Sequence, residues 1–153
     1  MRINSDKAKE IIEKIKYITI ATVDANGQPW NSPVYSAYDE DYNFYWASWV
    51  ENQHSQNIAR NNKIFLVIYD STVPEGTGEG VYVLAKAHQL NKIEEIERGL
   101  KYLDGRVNKK PHNPDAFMST YPRRVYKAVP KKFWMNDDGD VGGNFVDIRK
   151  EVS

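Results

Sequence analysis

The sequence predicts a mainly β protein with peripheral helices, built as an antiparallel barrel of six or seven short strands. Short apolar runs rich in β-branched and aromatic residues recur along the chain, turn-forming residues separate them, and few stretches carry helical spacing. Closure, or near closure, follows because a small antiparallel sheet must dispose of its edges. With 153 residues and no internal repeat or low-complexity tract, residues 1–153 are expected to form a single domain. Residues 1–16 supply a helix packed on the barrel.

Each element has its own signal. Ser5 or Asp6 can cap the first helix, in which Ala8, Ile11, Ile12 and Ile15 fall at helical spacing between lysines and glutamates. From Tyr17 the period changes. "YITIATVD" reads as a strand, Asn26-Gly27 as a hairpin turn, and "PWNSPVYSAYD" as the returning strand. "YNFYWAS" follows the tight "DEDYN" turn, and "KIFLVIYD" follows a polar segment. "STVPEGTGEG" is a loop, since its proline breaks any ladder. "GVYVLAKAHQL" is a fifth strand, and "NKIEEIERGLKYLDG" a helix with Ile93, Ile96, Leu100 and Leu103 on one face. "NKKPHNPDAFMSTYP" is irregular, with one helical turn at Asp115 to Met118. "RRVYKAVPKKFWMND" and "GGNFVDIRKEV" close the sheet, joined by a "DDGDVGG" turn.

Composition excludes several functions. Lysine plus arginine (21) balance aspartate plus glutamate (21), so there is no global attraction for nucleic acid or an anionic membrane. The absence of cysteine removes disulfides, thiolate zinc sites and cysteine nucleophiles. The charged N-terminus has no signal-peptide apolar region and no membrane span, which makes the cytoplasm the expected location. His54, His88 and His112 have no ligand spacing to one another, so no metal is expected, and His88 alternates with Lys86 as an outward polar residue. "EGTGEG" lacks the lysine and hydroxyl residue of a phosphate loop, "DDGD" lacks the further oxygen ligands of a calcium loop, and no glycine-flanked serine elbow exists. Glu94, Glu95 and Glu97 read as a solvated helix surface. No catalytic side chain is assigned; if the chain is an enzyme, an organic cofactor carries the chemistry.

One stretch does carry a site. In "FYWASWVENQHSQNIARNNKIFLVIYD" an aromatic strand ends at Ser48, and a helix over Asn52 to Asn61 would present unpaired N–H groups and a positive dipole end to an anion. His54 and Arg60 would add charge nearby. The plain alternative is a capped helix with a solvated polar face. Trp30, Trp46, Trp49 and Trp134, with ten tyrosines, serve as core, as dimer contact, or as the walls of a slot for a planar ring.

The order of these motifs, "NGQPWNSPVYSAYDEDYNFYWASWVENQHSQNIARNN", then "GVYVLAKAHQL", then "KFWMND", resembles the pyridoxamine 5′-phosphate oxidase-like, FMN-binding split-barrel family. The resemblance runs from Ile15 to about Arg149 and is most specific in the first half. It implies a six- to seven-stranded split barrel that binds FMN at a homodimer interface, with deazaflavin or another planar ligand as alternatives. Carried over by position, Ser32, Pro33, Val34, Tyr35 and Ser36 form the flavin-contacting strand. Trp46, Ala47 and Ser48 match the aromatic-plus-hydroxyl strand end, Gln53 and His54 the phosphate pair, and Trp134 a tryptophan near the ring, contributed across the two-fold.

The departures also have consequences. Ser32 stands where the family has arginine, Gln53 and His54 where it has an Arg-Lys pair, and Gly80 where glutamine is usual, so FMN should be held more weakly. Ala37 replaces a substrate-phosphate lysine, and "MNDDGDVGG" replaces an Arg-x-His stretch, which argues against pyridoxamine 5′-phosphate oxidase activity itself. The expectation is a flavin oxidoreductase passing electrons between a nicotinamide donor and a small-molecule substrate. The alternative is a non-catalytic flavin, haem or other planar-ligand binding protein on the same fold.

Overall fold

The computed structural model describes residues 2–153. Helix α1 (Asp6–Lys14) is capped by Ser5, whose hydroxyl accepts from the Ala8 N–H at 3.2 Å, so the first helix begins at the earlier of its two candidate caps. Strands β1 (Tyr17–Val23) and β2 (Pro29–Tyr35) form the hairpin around Gly27, which takes a left-handed φ of 81°. After a break at Ser36 come the two-residue β3 (Ala37–Tyr38), β4 (Phe44–Trp49), α2 (Gln53–Arg60) and β5 (Lys63–Tyr69). Then β6 (Gly80–Gln89), α3 (Ile93–Gly105), a 3-10 turn (Pro114–Phe117), β7 (Arg123–Val141) and β8 (Asn144–Glu151) complete the chain.

The strands make one antiparallel sheet in the order β2-β1-β5-β6-β7-β4-β3, with β8 added to β7. This is the antiparallel barrel that the pattern of short strands predicts, of the split type that the family resemblance implies. It has eight strands rather than six or seven, the surplus being the short β3. A second difference lies at the C-terminus. The "DDGDVGG" stretch is not a long turn: Asp137 to Val141 pair in register with Ile148 to Asn144, and only Gly142 and Gly143 turn, at φ 61° and 82°. Two successive positive φ values make the tight hairpin that suits twisted strands, and glycine bears them without a Cβ clash.

Strand β7 is what makes the barrel possible. Its start pairs with β4 and β6, its middle with β6, and its end with β8. Between Leu84↔Lys132 and Ala85↔Pro130 the register shifts, so Lys131 is an extra residue beside a proline that has no N–H to give. The bulge lets one strand bend around two sides of the sheet.

Two apolar clusters result from the alternation of side chains. Ile18, Ile20, Leu66, Val83, Phe133, Phe44 and Trp46 fill the barrel interior, while Tyr45, Leu100, Leu103, Phe117 and Val125 join the opposite face of β4 and β7 to α3. Each such buried side chain contributes roughly 1.5–3 kcal/mol by removal from water.

Candidate functional site

The site begins where β4 meets α2. Burial along α2 falls on His54, Ser55, Asn57 and Ile58, so the buried face of this helix is largely polar. Asn57 Nδ2 donates to Thr22 Oγ1 at 3.0 Å, and Gln53 Nε2 donates to Asn57 Oδ1 at 2.8 Å. These bonds dock α2 onto β1 and fix its first turn against the strands.

Ser48 stands at the end of β4 and is the hub of a second network. Its Oγ accepts from Asn52 Nδ2 at 2.8 Å and lies 2.7 Å from His54 Nε2. His54 is only 7% exposed, and burial pulls its pKa below the ordinary histidine value, so at neutral pH the ring is uncharged and is hydrogen-bonded to the Ser48 hydroxyl. The added charge expected from His54 is therefore replaced by a hydrogen-bonding role through Ser48. Asn52 caps α2 by position only: its side chain turns to Ser48 and makes no cap bond. Among the described residues, the backbone N–H groups of Gln53, His54 and Ser55 have no protein acceptor. Three free donors at a positive dipole end, beside a hydroxyl, form a cradle for an anionic oxygen.

Register assigns the β2 residues to two faces. Trp30, Ser32 and Val34 lie opposite Thr22, Ile20 and Ile18 on the side that looks into the barrel and toward α2. Ser32 Oγ accepts from Trp30 Nε1 at 3.1 Å. Pro33 and Tyr35 lie opposite Thr19 and Tyr17 on the outer side. Ser36 is buried, near the Lys16 carbonyl. On β4, Trp46 is fully buried and stacks on Tyr126 at 5.7 Å, and Val34 is also buried, so whatever these two offer a ligand is backbone. Ala47 faces the α3 side with Tyr35.

Trp134 is placed apart from all of these. It belongs to an outer-face row, Pro33, Thr19, Val67, Tyr82 and Trp134, each opposite the next across the sheet. Four strand spacings separate Pro33 from Trp134, about 19 Å. Along β7, Arg124 is the partner of Ser48, and ten residues on, about 33 Å of strand, lies Trp134. Phe65 stacks on Trp134 at 6.2 Å, and the Arg149 guanidinium covers Tyr82 at 4.0 Å.

On the α3 side a cavity of about 430 Å³ opens beside Tyr35 and Ala47, walled by Leu100, Leu103 and Phe117 and carrying Asp104 and His112. Sequence reading missed this pair, because eight positions of irregular chain separate the two residues. No group of three or more metal-ligating side chains exists among the described residues, and no described helix is long and apolar enough to cross a membrane. His88 points outward, as its alternation predicts.

An eight-stranded antiparallel sheet bent by a bulged strand, with α2 planted at a strand end, defines the class: a split β-barrel. A sequence profile described as pyridoxamine 5′-phosphate oxidase matches residues 5–134, and the chain belongs to that family. Solved structures share the fold. A provisional 5-nitroimidazole antibiotic resistance protein from Bacteroides thetaiotaomicron superposes with a TM-score of 0.72 at 17% identity, over 88% of this chain and 85% of that one. An FAD-binding protein from Mesorhizobium loti gives 0.64 at 15% identity, over 88% and 95%. An F420 reductase gives 0.62 at 17% identity, over 84% and 97%. No curated protein matches the sequence.

Proposed function

We propose that this chain is an FMN-binding oxidoreductase of the cytoplasm, active as a homodimer with its flavin at the subunit interface. The observation that carries this reading is the uncapped start of α2. Its three free N–H groups, with Ser48 beside them, match the needs of a phosphate: donors of fixed position and no acidic residue in the first turn, and Ser32 of β2 is the expected strand contact. Gln53 completes the set from the first turn. None of these groups is charged, and His54 is neutral, so the phosphate is held by dipoles rather than by ion pairs and the affinity is correspondingly lower.

A homodimer supplies what one chain cannot. The outer face of β1, β5, β6 and β7 presents Ala21, Phe65, Tyr82, Leu84 and Trp134 side by side, with Leu84 40% exposed. A contiguous apolar sheet face of this kind is a typical subunit contact. Pairing it with a second copy would bring the partner's Trp134 toward Pro33, Tyr35 and Ala47, where the planar ring would lie. The family match and the F420- and FAD-named relatives of the same fold support a flavin or deazaflavin there.

Bound flavin supplies hydride and electron transfer. The chain's own part is to bind the phosphate through α2 and Ser48, to orient the ring between two sheet faces, and to exclude water with Phe65, Tyr82 and Trp134. The uncharged phosphate cradle also fits a carrier that binds a planar ligand without turnover. A visible spectrum of the protein, before and after adding FMN and removing the excess, tests binding: a retained flavin band is expected, and a colourless protein that refuses FMN refutes the reading. Bleaching of that band by NADH or NADPH then separates enzyme from carrier.

A further inference from the structure

The cavity beneath α3 has features that flavin binding does not require. Its wall is apolar and aromatic, from Tyr17, Tyr35, Leu100, Leu103, Val107 and Phe117. Its charges are few: Lys109 and Arg123 at the edge, and the His112–Asp104 pair within. Asp104 is 4% exposed, and its carboxylate is spent on one residue. Oδ2 accepts from the His112 backbone N–H at 2.8 Å, and Oδ1 lies 2.6 Å from Nδ1. That grip fixes the ring with Nδ1–H donating to Asp104, edge-on to Phe117 at 6.0 Å, and leaves Nε2 without a protein partner among the described residues.

Two further groups lack partners. Arg123 rests over the Phe117 ring at 5.3 Å and has no carboxylate among the described residues. The Tyr35 ring lines the cavity, while its hydroxyl is buried with no acceptor, and burial holds its pKa above the ordinary tyrosine value. A buried donor without an acceptor costs free energy. An apolar slot, a cation without a counter-ion and an oriented imidazole all point to one kind of guest.

We propose that this cavity binds a small aromatic carboxylate, with the ring against Leu100, Leu103 and Phe117. Arg123 is the counter-ion to the carboxylate, and His112, taking up a proton with the guest, donates to it from Nε2–H while Nδ1–H stays on Asp104. Asp104 is a positioning residue that acts only through His112. Because Tyr35 and Ala47 also belong to the flavin strand set, the guest would lie beside the flavin ring as substrate. That placement rests on the function proposed above, whereas binding of the carboxylate does not.

The test is a calorimetric titration of 2-naphthoate and of the neutral 2-naphthalenemethanol into the protein, flavin-free and after FMN loading. Naphthoate should bind both forms, about tenfold or more tighter than the alcohol, as expected for charge-assisted bonds. Arg123→Gln, at an exposed position, should remove most of that preference while FMN binding is unchanged. Asp104→Asn should cut the preference as far as His112→Gln does, whereas a purely structural role would weaken both probes equally. Equal affinity for the two probes, or none for naphthoate, overturns the proposal. So does displacement of naphthoate by FMN, which would make the cavity the slot of the flavin ring itself. A protein that refuses FMN yet binds naphthoate with the stated preference upholds the cavity site and sinks the flavin reading alone.

Discussion

Replacing His54 tests whether the phosphate corner works by hydrogen bonds or by charge. His54→Ala removes the 2.7 Å bond to Ser48 and empties a nearly closed space against the barrel. The bond contributes about 1 kcal/mol net and the lost packing about 1–2 kcal/mol more, so a destabilisation of about 2–3 kcal/mol is expected. For a chain of this size that lowers Tm by about 4–12 °C. The pH dependence carries the sharper test. The unfolded ring titrates near 6.5, and burial sets the folded pKa below that. Between the two values the unfolded state binds more protons, so this group's contribution is full above 6.5 and is lost as pH falls through the folded value. Thermal unfolding across pH 4 to 8 should show that decline in the wild type and its absence in His54→Gln, the difference isolating one residue. FMN affinity should fall by about tenfold or less, because a neutral ring acts only through Ser48, not by the larger factor of a direct bond to a charged group. Unchanged pH dependence in His54→Gln, or a collapse of FMN binding in a variant that stays folded, would refute a buried neutral His54.

Three other outcomes follow from the structure. Asp39 is buried, which pushes its pKa up, but bonds from Asn43, Tyr45 and the Asp41 backbone outweigh that and hold the carboxyl below its usual range. Its stabilisation is present above the unfolded carboxylate pKa and lost as pH falls through the lower folded value, and Asp39→Ala should cost about 2–4 kcal/mol in urea unfolding by stranding these donors. Gly142→Val and Gly143→Val each force a β-branched side chain to positive φ, at about 1–2 kcal/mol apiece, and should speed amide exchange in β8 first; protection unchanged there would show that the turn is not what sets the hairpin. Leu84→Lys places a charge in the centre of the outer sheet face and should convert a dimer to a monomer in light scattering while Tm of the chain itself moves little; an undisturbed dimer would place the interface elsewhere.

Most of the sheet was legible because β1, β4, β5 and β6 alternate or run apolar and are bounded by turn residues, which is the signal that burial on one or two faces leaves in a sequence. The end of β7 was not. Asp137 to Val141 lie on a hairpin that projects beyond the barrel, where no apolar face is needed, and their composition is that of a turn. Gly139 is required there for a different reason than turning: a Cβ on it would come within 2.6 Å of the Ile148 side chain. The polar helix α2 misled in the opposite sense. Its amides and histidine look solvated, yet they face Thr22 and Ser48, and only the spacing of His54, Asn57 and Ile58 hints that one side is buried. Asp104 and His112 left no local trace, since an irregular chain brings them together.

The division of the predicted site among three places is itself an argument about assembly. Ser48, Gln53 and His54 form one corner at the start of α2, Pro33 and Tyr35 occupy the outer side of β2 with Ser32 on its other face, and Trp134 lies about 19 Å across the outer face. A strand exposes opposite faces to successive residues, so no ligand can touch the side chains of Ser32 and Pro33 alike unless it wraps the sheet edge at β2. β2 is the terminal strand of the sheet path, with an unpaired edge that leads from the α2 corner to the outer face. A flavin whose phosphate is held at α2 and whose ring crosses that edge would meet Pro33 and Tyr35 and then the neighbouring subunit's Trp134. The free strand edge, an aggregation hazard in a monomer, would thereby be covered by ligand and partner together. Dimerisation and cofactor binding should accordingly be coupled: the Leu84→Lys monomer should lose FMN, and saturating FMN should tighten the wild-type dimer, whereas full-strength FMN binding by the monomer would show that one chain suffices.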